Sequence, residues 1–284
     1  MFLSKLLKVN SSKKALQFLF VAAVLWSTGG LFIKYVQWHP IAIASVRGLI
    51  AALAIVFIVP EVKIFPKNKM FWLGCFAYAG LCITMVVATK LTTSANAIFL
   101  QYTAPIYVAL ISAFILKEKI GRLDFFVILG TATGMVLFFV GDFCFSNIAG
   151  NLFGIGSGVS FAIMVVCFRY IKDIEPSAVV FYGNVLCFLF GLPFVETPYP
   201  DFNGWLGLAF LGIVQIGLPY IIYSRAVIHV SPLEGVIIPT IEPILNPVWV
   251  VIFIGEKPDF WALIGGLIVI TVVTLYCVKA AYKV

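Results

Sequence analysis

The chain has 284 residues, of which 62% are hydrophobic and 11% charged, with a mean hydropathy of +1.10 and a formal net charge of +7. A soluble domain of this length has too little interior for so much apolar surface, whereas a bilayer absorbs it in spans of roughly 20 apolar residues. The positive charge does not indicate nucleic acid, because the basic residues stand in short loops between apolar runs, the placement that sets membrane orientation.

Residues 1–14 form a short basic lead with Lys5, Lys8, Lys13 and Lys14. The apolar run that follows is too long for a signal-peptide core and has no small-residue cleavage site, so it reads as an uncleaved first span. Apolar runs then recur at 15–36, 40–60, 70–89, 95–116, 122–141, 150–171, 176–196, 203–224, 231–254 and 259–278. This predicts an all-α integral membrane protein with ten transmembrane helices and a short tail at 279–284.

Polar and aromatic side chains punctuate these runs. Trp26 lies in the first, Arg47 in the second, Tyr78 in the third, and Gln101, Tyr102 and Pro105 in the fourth. Phe161 falls in the sixth, Tyr182 and Asn184 in the seventh, and Gln215 in the eighth. A polar side chain at this depth has protein or a wet cavity to bond and nothing else, so about half of this set is expected to face inward. Arg47 offers a planar fork suited to a substrate carboxylate; it could also snorkel outward or bond a structural carbonyl. The glycines at 150, 154 and 158 repeat every fourth residue and read as close helix packing.

The ninth run, SPLEGVIIPTIEPILNPVWVVIFIGEK, is the most unusual. Pro239, Pro243 and Pro247 follow at four-residue steps, each lacking an N–H and freeing a carbonyl one turn back, so this helix must kink or open locally. Glu242 stands among them, with Asn246 one turn on along the same face and Ile238 and Trp249 continuing the stripe. An ionised carboxylate at this depth needs a partner or water. Glu242 is therefore a candidate for holding a substrate ammonium or exchanging a proton, the alternative being a structural carboxylate that caps loosened backbone.

The fourth run is a relative of the ninth. Pro105 stands thirteen residues before Glu118-Lys119, and Pro243 thirteen before Glu256-Lys257. The chain reads as a duplication, 15–141 and 150–278. With five spans in each half the second copy is inverted, an architecture of secondary transporters whose substrate sites lie near the midplane. Loop charges give the orientation: alternating along the spans, fifteen Lys and Arg fall on the side of the N-terminus and three, Lys34, Lys90 and Lys257, on the other. That bias predicts two cytoplasmic termini; the membrane expected is a bacterial inner membrane.

VLWSTGGLFIK in the first span, VRGLIAAL around Arg47, TSANAIFLQYTAPIYVALISAFILKEK and IEPILNPVWVVIFIGEK together resemble the drug/metabolite transporter superfamily, in particular its ten-span EamA-type members. The resemblance runs from about Ala15 to Val278. The second half departs from it by carrying Tyr182-Gly183-Asn184 where a counterpart of Arg47 would stand. The resemblance implies movement of small metabolites, with export as the default direction; alternating access of a small polar or amphipathic metabolite, an amino acid or related amine first, is the expectation drawn here. It leaves open proton coupling and a monomer or homodimer.

Catalytic motifs are missing. The sequence has no HExxH, no phosphate-cradling loop, no pair of aspartates within the spans, and no glycine two positions before Ser157. The six cysteines form no CxxC and read as small buried hydrophobes, and the two histidines, His39 and His229, fall in loops. No enzyme, metal or cofactor is expected. The rival reading is a membrane sensor or assembly factor that kept the fold without transporting; a sealed midplane with Glu242 paired in protein would favour it.

Overall fold

In lipid, each backbone N–H and C=O has to bond within its own segment, so long apolar runs become helices. The computed structural model describes residues 9, 11–63, 65–92, 94–117, 121–138, 148–171, 174–245, 249 and 260–282, and among them every regular element is helical. Ten runs were expected. Seven stretches are long and apolar enough to cross a membrane: Ser12–Tyr35, Pro40–Ile58, Lys69–Leu91, Asn96–Ile115, Ile148–Tyr170, Pro176–Phe194 and Phe202–Val227. Asp124–Leu137 and Leu263–Val272 are shorter apolar helices. The ninth run is described to residue 245 and at Trp249; Asn246 and Pro247 lie outside the described residues.

Several runs are broken within their length. The first is α1 (Ser12–Trp26) followed by α2 (Gly29–Tyr35), and the second and third are α3 (Pro40–Ile58) and α4 (Lys69–Leu91). The fourth divides into α5 (Ser94–Gln101) and α6 (Ala104–Ile115). Next come α7 (Arg122–Phe138), α8 (Ile148–Tyr170) and α9 (Pro176–Gly191). The eighth run comprises α10 (Phe202–Phe210), a π-helical turn over Leu211–Gly217, and α11 (Leu218–Val227). The ninth starts as α12 (Pro232–Ile237), tightens to a 3₁₀ turn over Ile238–Ile241 and resumes at 242–245; α13 (Phe260–Tyr282) closes the chain.

The starts are set locally. Ser11, Asn68 and Asp201 accept bonds from the first free amides of α1, α4 and α10, and Pro40 and Pro176 open α3 and α9, where a missing N–H does no harm. Glu234 forms a capping box with Ser231: the Ser231 N–H donates to Glu234 Oε2 at 2.6 Å, and the Glu234 N–H donates to Ser231 Oγ at 3.2 Å. The sequence alone suggests an interfacial charge at Glu234; its work is to start the ninth helix.

The helices pair in a regular pattern. α4 packs along α8, α3 along α9, α7 along α13, and α1 along α11. α9 also touches α4, and α3 touches the π turn; α5 and α6 lie on α8, while α1 lies on the 238–241 turn. The glycines of α8 allow one of these approaches: a Cβ on Gly158 would sit 2.8 Å from the Gln101 carbonyl, and one on Gly154 2.9 Å from Leu100 Cβ. Outward faces are apolar, with Phe57 and Phe114 each 82% exposed, as suits a surface solvated by lipid. Of the cysteines, Cys75, Cys82, Cys167 and Cys187 are free and buried.

A central cavity between broken helices

Breaks in the helices converge on the middle of the bundle, and each has a cause in the local sequence. In the first run, Ser27 Oγ donates to the Val24 carbonyl at 2.6 Å and Thr28 Oγ1 to the Leu25 carbonyl at 2.8 Å, drawing those carbonyls away from the helical ladder just before Gly29-Gly30. In the fourth, Pro105 has no N–H for the Gln101 carbonyl, and the helix parts at Tyr102-Thr103. In the eighth, Pro219 leaves the Gln215 carbonyl without its donor, and the chain takes a π turn closed by the Leu218 N–H on the Ile213 carbonyl. In the ninth, Pro243 withholds a donor from the Pro239 carbonyl, which instead accepts the Glu242 N–H in 3₁₀ fashion.

Between these breaks lies a small cavity, part of it open to the surroundings. Trp26, Arg47, Gln101, Tyr102, Phe161, Gln215, Tyr220 and Glu242 line it, with Gly29, Gly30 and Cys82 among the smaller contributors. The lining from the first four runs comes from the second halves of the first and third and the first halves of the second and fourth. All of these lie towards one end of the bundle, the end that the lysine bias reads as outer. Towards the other end the space is filled: Trp26 packs on Tyr220 and Tyr223 with ring centroids 4.7 and 4.9 Å apart, and Tyr223 donates to the Gly235 carbonyl of α12 at 2.8 Å.

The polar groups of this cavity are unequal. Arg47 is 3% exposed, so it does not snorkel. Its guanidinium donates to the Cys82 carbonyl at 3.2 Å and to Gln215 Oε1 at 3.3 Å, while Nε has no partner and no carboxylate lies within ion-pair distance among the described residues. The Trp26 indole N–H is a second buried donor without a partner. Glu242 is 6% exposed; Tyr102 Oη lies 2.6 Å from its Oε2 and 2.7 Å from the Pro239 carbonyl. A buried cation and a buried carboxylate thus share one cavity without pairing with each other. Such an arrangement is costly in isolation and can complement a ligand that carries both charges.

Five of the eight aromatic and amide candidates, Trp26, Gln101, Tyr102, Phe161 and Gln215, face this space. The other three do not. The Asn184 side-chain amide donates to Tyr78 Oη at 2.9 Å and to the Val180 carbonyl at 2.9 Å, so its NH₂ is used inside the α4–α9 contact, while its Oδ1 is buried there without a partner. Tyr182 packs among Phe65, Phe71, Trp72 and Phe181, outside the cavity lining. Gln101 is held by Ser157, whose hydroxyl donates to its Oε1 at 2.7 Å. Pro105, Pro239 and Pro243 are buried at the breaks. Trp249, on the expected stripe with Glu242, donates its indole N–H to Ser27 Oγ at 2.7 Å and so ties the ninth run to the break in the first. Tyr220 lines the cavity and was not singled out from sequence; Pro219 beside it, one turn after Gln215, carried the same backbone signal as Pro105 and Pro243.

Comparison with known proteins identifies the family. The profile of the EamA-like transporter family matches residues 13–140 and again 148–278. An uncharacterized transporter of Archaeoglobus fulgidus is 25% identical over 253 residues, 88% of this chain and 91% of its own. Solute carrier family 35 member G1 of Mus musculus is 25% identical over 280 residues, 89% of this chain and 75% of its own. The pseudopaline exporter CntI of Pseudomonas aeruginosa is 26% identical over 208 residues, 70% of this chain and 68% of its own. A solved crystal structure superposes with a TM-score of 0.79 at 20% identity, covering 95% of this chain and 98% of that one, which establishes a shared fold. With two family matches that together span nearly its whole length, this multi-pass membrane protein belongs to the EamA-like transporter family.

Proposed function

We propose that this chain is a secondary transporter that carries a small metabolite bearing both a carboxylate and a cationic group, an amino acid or related amine, across a bacterial inner membrane by alternating access. The observation that carries the reading is the shared cavity in which Arg47 and Glu242 are both buried and unpaired with each other. Arg47 would hold the carboxylate with its free Nε beside the Trp26 indole N–H, and Glu242 would hold the cationic group. Aromatic walls from Tyr102, Phe161 and Tyr220 suit the apolar part of such a solute.

Ten spans in two inverted five-helix repeats, 15–141 and 150–278, complete the proposal. The pairing of helices supports it, because the most extensive contacts have mirror images when the halves are exchanged. The α4–α8 contact matches α11–α1, α4–α9 matches the π turn on α3, and α5–α6 on α8 matches the 238–241 turn on α1. Alternating access is supported by a cavity placed towards one end of the bundle while aromatic packing fills the other. Export is supported by the name of one relative, the pseudopaline exporter. Cytoplasmic termini rest on the lysine bias, and a reporter fused after Val284 tests them. A non-transporting role would be favoured by Glu242 salt-bridged in a closed core; its only bonded side chain among the described residues is neutral Tyr102.

The test is movement of labelled amino acids, cationic amines and neutral solutes in sealed proteoliposomes, with and without a proton gradient. Zwitterions should exchange faster than neutral analogues of equal size. Equal leakage of every solute, with protein of normal stability, would remove the transport reading.

A further inference from the structure

A phenol has one proton, yet Tyr102 Oη lies within hydrogen-bond distance of two oxygens, Glu242 Oε2 at 2.6 Å and the Pro239 carbonyl at 2.7 Å. If Glu242 is ionised, both neighbours are acceptors. The Tyr102 proton can then serve one of them, and the other is left lone pair against lone pair at a separation such pairs do not tolerate. If Glu242 is protonated, both short contacts are satisfied at once. The acid O–H donates to Tyr102 Oη, and the Tyr102 O–H donates to the Pro239 carbonyl. The two distances together fit the protonated form.

The carbonyl is available for a reason written in the sequence. Pro243 has no N–H, so the Pro239 carbonyl keeps the Glu242 N–H as its single backbone donor and has a lone pair to spare. Tyr102 stands at the break between α5 and α6. Both ends of the link therefore sit where a proline has already interrupted the helical ladder, and where a lost bond is free to change the backbone.

We infer that Tyr102 is a positioning residue that transmits the charge of Glu242 to the backbone of the 238–241 turn beside it. Protonation closes the chain Glu242–Tyr102–Pro239 and clamps the fourth run to the 238–241 turn. Ionisation turns the Tyr102 hydroxyl to the carboxylate and releases the Pro239 carbonyl. The ionisable groups that face Glu242 in the cavity are Tyr102 from the fourth run, Tyr220 from α11, Cys82 from α4 and, unpaired with it, Arg47 from α3. Tyr223 stands next to Tyr220. From α1 and α8 come Trp26 and Phe161, which do not titrate. α13 has its ionisable residues Tyr276, Cys277, Lys279 and Tyr282 in its last two turns. This rests on the transport reading for its purpose alone: a carboxyl that changes charge with its cargo would hold or release the 238–241 turn in step, while Tyr102 stays on Glu242.

The experiment needs no substrate, so its failure and a failure of transport are separate results. Amide hydrogen exchange over 235–242 is followed against pH in the full-length protein in lipid nanodiscs, after correction for the chemical exchange rate. The wild type should lose about fivefold protection as Glu242 ionises, the factor that corresponds to one hydrogen bond of about 1 kcal/mol. Glu242→Gln, whose amide N–H replaces the acid proton as donor to Tyr102, should stay protected at every pH. Tyr102→Phe should show no step. A wild-type step that persists in Tyr102→Phe, or in Glu242→Gln, overturns the inference. Should Tyr102→Phe not fold, infrared pH-difference spectra of wild type with ring-labelled tyrosine decide. Loss of the acid band that Glu242→Gln removes should coincide with a shifted tyrosine C–O band, and an unshifted tyrosine band overturns the inference equally.

Discussion

The breaks in the fourth and ninth runs rest on the same backbone device and differ in chemistry. Each opens just before a proline that stands thirteen residues ahead of a Glu-Lys pair, Pro105 in one and Pro243 in the other. Counted back from that proline, Ala104 occupies in the fourth run the place that Glu242 occupies in the ninth, and Tyr102 that of Thr240. The fourth break therefore offers a neutral hydroxyl and an amide, Tyr102 and Gln101, where the ninth offers a carboxylate. The second run and its counterpart differ in the reverse sense. Arg47 reaches the cavity from α3, while the stretch Tyr182-Gly183-Asn184 of α9 turns its polar side chain into a closed bond with Tyr78. If the halves are copies, one supplied the cation and the other the anion. On that reading a duplicated frame would give two equivalent openings, and substitution within it would make a site that recognises the two ends of a solute differently.

The sharpest way to break this division of labour is to remove the cation. Arg47→Leu should lower transport of carboxylate-bearing solutes about a hundredfold, the order expected for losing charge-assisted hydrogen bonds worth roughly 2–3 kcal/mol. Arg47→Lys, which keeps the charge and loses the fork, should recover a minor part of it. Detergent-solubilised melting temperature is the control, and equal loss for neutral solutes would mean Arg47 is structural.

Removing the anion should act on the other end. Glu242→Gln keeps volume and bonding capacity, so stability should hold while zwitterionic and cationic solutes weaken about tenfold and neutral ones are spared, as expected for loss of one partly solvated charge pair. It should also abolish pH-driven accumulation and leave solute-for-solute exchange in place. A variant with normal transport, selectivity and pH response would leave the ninth break no more specialised than the fourth.

The prolines test whether the openings move. Pro243→Ala returns an N–H to the Pro239 carbonyl and should slow exchange by about threefold to tenfold at normal abundance, since restoring a helical bond stiffens the break by about 1 kcal/mol. Pro105→Ala makes the matched comparison in the other half; an effect in one variant and none in the other would show that a single run bends.

The smallest effect concerns the frame around Arg47. A Cβ on Gly29 would come within 2.5 Å of Gln215 Nε2, so Gly29→Ala should displace the amide that accepts from Arg47. Affinity for carboxylates should fall about twofold to fivefold, within the range of one neutral partner lost from a charge-assisted network. No change would mean the Cys82 carbonyl alone sets the guanidinium.

The sequence by itself determined the membrane class, because no arrangement in water hides runs of this length and composition, and a family resemblance was legible in its proline and glycine punctuation. It also located the break at Pro243, since a missing N–H is a covalent property that no tertiary environment restores. Glu242 stood out for the same local reason: a carboxylate inside an apolar run has few tolerable surroundings. Whether a buried polar side chain meets the cavity or a neighbour was decided by tertiary structure. Tyr78 and Tyr102 are both tyrosines deep in apolar helices, yet one is consumed by Asn184 across the α4–α9 contact and the other bridges two broken runs. Arg47 had three open readings until packing left it buried with one nitrogen unbonded. Hydrophobic periodicity cannot separate such cases when a helix is apolar all round, because lipid and protein are then equally good solvents for every face, and the choice between them is made by which helix packs alongside.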